Sequence, residues 1–107
     1  MVWFFEAEHK MGQRDRQIDS RLRDYIIKRR REAEEGCANA YYDLGLLYST
    51  GQGVEQNLVA AHKWFNLAAM RGLKRANVDR AEVAREMNFQ QIAMAQREAR
   101  HWSKTHQ

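Results

Sequence analysis

The sequence predicts an all-α fold of stacked helix pairs, and three observations lead there. Its 107 residues include no proline and only six glycines, which favours long uninterrupted helices over a fold rich in tight turns. No run alternates Val, Ile or Thr with polar residues as a half-buried strand does. Small residues also recur at a fixed distance: Ala33 and Ala69, Gly36 and Gly72, and Ala40 and Ala76 are each 36 apart. A fixed period between about 20 and 50 residues marks stacked helix pairs. A chain of this length builds one domain with a modest core.

About five helices are expected. The first covers residues 13–35, where Ile18, Leu22, Tyr25 and Ile26 form one apolar stripe. Asp19 with Arg23 and Asp24 with Lys28 add i,i+4 pairs in the favourable order. Gly36 sits where a glycine in left-handed conformation ends a helix. The second helix runs from Ala38 to about Tyr48, with Ala40, Leu44, Leu47 and Tyr48 on one face. The glycines of Ser49-Thr-Gly-Gln-Gly-Val54 close it. Asn57 caps a third helix that ends near Arg71, with Leu58, Ala61, Trp64, Phe65 and Ala68 inward. A fourth, from Lys74 to Met87, has a weak apolar side of Ala76, Val83 and Ala84. Asn88, with Gln91 three residues on, opens a fifth that carries Ile92, Ala95, Ala99 and Trp102. The last five residues read as a frayed end. Gly45 costs its helix about 1 kcal/mol relative to alanine, which is tolerated where a neighbouring side chain needs the room. Trp64 is the expected neighbour.

Composition narrows the function classes. The single Cys37 forms no internal disulfide and reads as a small packing residue, so nothing requires an oxidising compartment. Met1-Val-Trp-Phe-Phe-Glu has no basic region and no long apolar stretch, so it does not read as a signal peptide. No apolar run approaches the roughly 18 residues that span a bilayer. The chain therefore reads as cytoplasmic. The four histidines, His9, His62, His101 and His106, stand at no metal-ligand spacing on one helix, and neither a metal nor a cofactor is expected. Glu82 and Glu86 share a helix face, but such a pair is usually solvated. With no strand there is no phosphate-binding loop after one. No catalytic residue is assigned, and the chain reads as non-catalytic.

The stretch Ala38-Asn-Ala-Tyr-Tyr-Asp-Leu44-Gly45-Leu-Leu-Tyr48-Ser-Thr-Gly51-Gln-Gly53-Val54, followed by Ala61, Trp64, Ala68-Ala69 and Gly72, resembles the Sel1-like repeat. The resemblance is to a small bacterial member of this TPR-like family. It is dense over residues 36–72. Arg31-Glu-Ala33-Glu-Glu-Gly36 is similar to the tail of a preceding repeat, with Lys28 where that repeat's tryptophan belongs. Downstream Ala76 fits, but Arg80-Ala81 replaces Leu-Gly. The closing stretch from Met87 to Trp102 resembles a C-terminal capping helix. The implied organisation is an aromatic segment at 1–12 and a repeat domain at 13–107. That domain divides into a degenerate half repeat to 36, a full repeat at 37–72, and a degenerate repeat with its cap at 73–107. The resemblance implies a short right-handed α-solenoid of antiparallel helix pairs. It also implies an adaptor that binds other proteins in a bacterial signalling, regulatory or assembly pathway. It makes Ala40, Leu44, Gly45, Tyr48, Gly51, Gly53, Ala61, Trp64, Ala68, Ala69 and Gly72 structural. Solenoids usually need about three repeats, so the ends require cover. Trp3, Phe4 and Phe5 supply it either by folding back or by forming an interface.

Two surfaces are candidates for binding. With Ala40, Leu44 and Tyr48 inward, Asn39, Tyr42, Asp43 and Leu46 face outward or sit at the margin of the second helix. A tyrosine beside an exposed leucine suits an anchor for a helix or extended peptide of a partner protein. The alternative is that Tyr42 and Leu46 pack on a flanking helix. The second surface is the run Lys28-Arg29-Arg30-Arg31. Residues 10–31 hold nine Lys or Arg against three Asp, whereas residues 32–73 hold two against five acidic residues. The run is either a solvated face or a basic surface for nucleic acid or an anionic membrane. In the adaptor reading these basic flanks steer an acidic partner. A third reading is a homodimer whose second copy completes the stack.

Overall fold

Capping residues mark several of the helix boundaries. The computed structural model describes residues 20–106. The expected start of the first helix at residue 13 and the aromatic segment at 1–12 lie outside those residues. All regular structure among the described residues is helical: α1 over residues 20–34, α2 at Ala38–Thr50, α3 at Leu58–Met70, α4 at Arg75–Ala84 and α5 at Phe89–Thr105. The fold is a short helical solenoid, as the sequence predicts.

The 36-residue period is visible in the backbone hydrogen bonds. Gly36 and Gly72 take φ of 87° and 94°, a left-handed conformation that costs glycine little. Gly36 N–H donates to Ala33 O at 2.9 Å and Cys37 N–H to Glu32 O at 3.1 Å. Gly72 N–H donates to Ala69 O at 2.9 Å and Leu73 N–H to Ala68 O at 3.1 Å. Both are Schellman turns, which satisfy the carbonyls a helix end leaves open. Between them, the Asn57 side chain accepts from Ala60 N–H at the start of α3. Asn88 and Gln91 form a full reciprocal capping box at the start of α5.

Helix α3 is the centre of the fold and packs on α2, α4 and α5. It buries Ala61, Trp64, Phe65, Leu67 and Ala68. Ala33, Ala40, Ala61, Ala68, Ala76, Ala95 and Ala99 are fully buried, which lets the helices approach closely. Tyr41, Phe65 and Leu44 are the largest fully buried side chains. Burial of one such side chain is worth about 1.5–3 kcal/mol.

Three details differ from expectation. The side chain that needs the room at Gly45 is Phe65, not Trp64: a Cβ on Gly45 would stand 2.5 Å from the Phe65 ring. Helix α4 ends at Ala84 and the chain turns before Met87. Residues 103–105, expected to fray, are helical, since α5 continues to Thr105. There Trp102 Nε1–H donates to the Tyr41 hydroxyl at 3.1 Å and the Trp102 ring meets Trp64 edge-on at 4.8 Å. His106 stacks on Trp102 at 3.6 Å and its Nε2 lies 2.8 Å from the Glu34 carboxylate. The aromatic packing draws the end of α5 onto the core and holds it helical.

Candidate functional site

Asn39, Tyr42, Asp43 and Leu46 follow the i, i+3, i+4, i+7 spacing of one helix face. The repeat period carries this face forward onto Arg75, Val78, Asp79 and Glu82 of α4. The two faces are joined physically. The Tyr42 hydroxyl donates to the Asp79 carboxylate. The Arg75 guanidinium lies over the Tyr42 ring, 4.5 Å from its centroid. The Phe65 ring supports Tyr42 from the core, centroid to centroid at 5.5 Å. The hydrogen bond to Asp79, with burial and the Asp79 charge, pushes the Tyr42 phenol above its ordinary value. Tyr42 is thus a half-buried brace that packs on flanking helices rather than a free anchor.

The exposed part of this surface is Asn39 and Leu46 on α2 and Arg75, Val78 and Glu82 on α4. Leu46 is 38% and Val78 65% exposed; each is an apolar contact point rimmed by polar groups. Asp43 is half-buried, with its carboxylate 2.9 Å from Arg29 Nε. Arg75, Val78 and Asp79 were not identified from the sequence, although shifting the α2 face by 36 residues would have found them.

Within the basic run Arg29 is half-buried and the other three residues are exposed. Arg29 is held by Asp43 and by Glu32 at 3.2 Å. Arg30 donates to the Tyr48 hydroxyl at 2.9 Å. Lys28, Arg30 and Arg31 remain exposed.

Sequence reading named His62 but did not anticipate its burial. It is 3% exposed on α3, and its Nδ1 has no hydrogen-bond partner among the described residues. Burial, with the nearby Arg80 charge, pushes its pKa below the ordinary value and keeps the ring neutral. Arg80 itself donates to Asn66 at 2.6 Å and Asn77 at 3.0 Å. Among the described residues no three His, Cys, Asp or Glu side chains come together to hold a metal ion. No helix there is long and apolar enough to cross a membrane.

Residues 38–73 match the family model of the Sel1 repeat. The segment is similar to a Sel1 repeat. No curated protein and no solved structure matches the chain. The matched segment comprises α2, α3 and the turns that follow each of them. Within it Ala40, Leu44, Gly45, Ala61, Trp64 and Ala68 are buried, and Tyr48 and Ala69 half-buried. Gly51, Gly53 and Gly72 take positive φ in the turns. Sel1 repeats are generally protein-interaction modules and typically non-catalytic.

Proposed function

We propose that this chain is a non-catalytic adaptor that binds a helix or extended peptide of a partner protein in a cytoplasmic regulatory or assembly complex. The binding surface is the paired face of α2 and α4. One observation carries the reading: the Tyr42–Asp79 hydrogen bond, backed by Arg75 and Phe65, joins equivalent faces of two helices one repeat period apart into a single surface. Leu46 and Val78 are its exposed apolar points. Asn39, Asp43, Arg75 and Glu82 supply the polar rim that fixes register. Arg29 is held by Asp43, and the basic run is not the surface proposed here.

The test is affinity capture from native lysate, with washes at low and high salt. A discrete protein retained at high salt, and lost with Leu46→Arg/Val78→Arg at unchanged helicity, supports the reading. Unchanged recovery with that variant overturns it. So does recovery of nucleic acid alone, lost at high salt, since phosphate contacts weaken steeply with salt.

A further inference from the structure

A second surface lies away from the α2–α4 face. A hollow of about 390 Å³ opens between α1 and the α2–α3 loop, lined by Arg23, Ile26, Ile27, Arg30, Gly53 and Val54. A second hollow shares Arg30 and Val54 and continues past Tyr48 to Asn57. Together they form one groove in which Ile26, Ile27 and Val54 are the apolar lining among polar residues. Ile27 is 48% exposed in it. Gly53 brings the loop backbone so close that a Cβ there would stand 2.6 Å from Leu22 and 2.8 Å from Ile26. Arg23 and Arg30 stand exposed along the groove, and Glu55 is the acidic residue at its far end.

The chain itself carries a segment of matching chemistry. Residues 1–9 place Trp3, Phe4 and Phe5 in succession and follow them with Glu6 and Glu8, with no Lys or Arg. We propose that this segment docks in cis into the groove. Trp3, Phe4 and Phe5 cover Ile26, Ile27 and Val54, while Glu6 and Glu8 face Arg23 and Arg30. The reach is sufficient. Ten residues, 10–19, separate the segment from the start of α1 and reach up to about 33–36 Å, against about 15 Å along the helix from residue 20 to Arg30. A short tether gives the segment an effective concentration in the millimolar range, which favours its own groove over that of a second copy. The proposal is independent of the α2–α4 surface, and either can fail alone.

The full chain labelled with 5-fluorotryptophan tests this by fluorine NMR, with the Trp3 signal assigned through Trp3→Phe. In the parent chain the Trp3 signal should stand apart from that of a synthetic peptide of residues 1–12 and lack its solvent-isotope shift. Ile27→Asp, at an exposed position, should return both to the peptide values. Arg23→Glu/Arg30→Glu, with helicity checked by circular dichroism, should do the same. A Trp3 signal at the peptide position in the parent chain overturns the proposal. So does a signal that reverts on dilution, because it would place the segment in a second copy. A signal unmoved by both variants overturns it too.

Discussion

Gly45 of α2 lies against the face of the Phe65 ring of α3, closer than any side chain on α2 would permit. A Cβ at this position would stand 2.5 Å from two ring carbons, and Phe65 is 1% exposed, so the ring has nowhere to move. Gly45→Ala gains about 1 kcal/mol of helix propensity, but the overpacking costs more. The expected result is a net loss of about 1–3 kcal/mol in urea unfolding. Phe65→Leu in the same chain should recover part of that loss. The coupling in the double-mutant cycle should vanish if the two residues do not touch.

Tyr42→Phe should cost about 0.5–1.5 kcal/mol, the net worth of one hydrogen bond, with more if Asp79 is left poorly solvated. The cost should depend on pH in a defined direction. The folded chain holds the Tyr42 proton to higher pH than the unfolded chain, because Asp79 accepts it and burial disfavours the phenolate. The stabilisation is therefore complete below the ordinary value of 10.0 and is lost as pH rises through the folded value. The difference between parent and Tyr42→Phe should shrink above pH 10.0, as read by chemical denaturation across that range.

His62 predicts the opposite limb. Burial and Arg80 keep its ring neutral to lower pH than in the unfolded chain. Below the ordinary value of 6.5 the unfolded chain binds more protons, so stability falls as pH falls towards the folded value. His62→Leu, which fills similar space without an unpaired nitrogen, should lose this acid limb. If parent and variant show the same slope between pH 7 and 5, the acid sensitivity arises elsewhere.

Trp102→Phe removes the donor to Tyr41 while keeping an aromatic ring against Trp64. A loss of about 0.5–1.5 kcal/mol is expected. Lys63, whose Nζ lies 4.4 Å from the Trp64 ring centroid and 5.0 Å from that of Trp102, should lose part of its cation–π contact as well. Its titration followed by NMR should then shift relative to the parent.

Local features were legible in the sequence because one or two residues cause them. Asn57, Asn88 with Gln91, and the glycines at 36 and 72 each act on a backbone within four residues, and all four sites behave as read. The repeat period was equally plain. What escaped is side-chain choice across space. Trp64 and Phe65 are adjacent in sequence but point about 100° apart on the helix, and only the packing angle of α2 decides which one meets Gly45. Tyr42 finds Asp79 37 residues away, one step from the 36-residue equivalence that makes Asp79 the counterpart of Asp43. The burial of His62 has no sequence signature, since a histidine in a mixed helix reads as a surface residue. The end of α5 was misjudged because its order depends on Tyr41, 61 residues earlier.

That last contact changes how the molecule should come apart. In a simple stack each pair leans only on its neighbours, so the array can unzip from an end while the rest persists. Here Trp102 and His106 reach back to Tyr41 and Glu34 across separations of 61 and 72 residues. Opening the C-terminal helix therefore uncovers the aromatic centre at once, and no intermediate that keeps α2 and α3 intact remains well packed. The chain should melt in a single sharp transition, with fluorescence and helicity lost together. Its folding rate should be set by closure of that long loop rather than by the quick local pairing that its helical content would suggest.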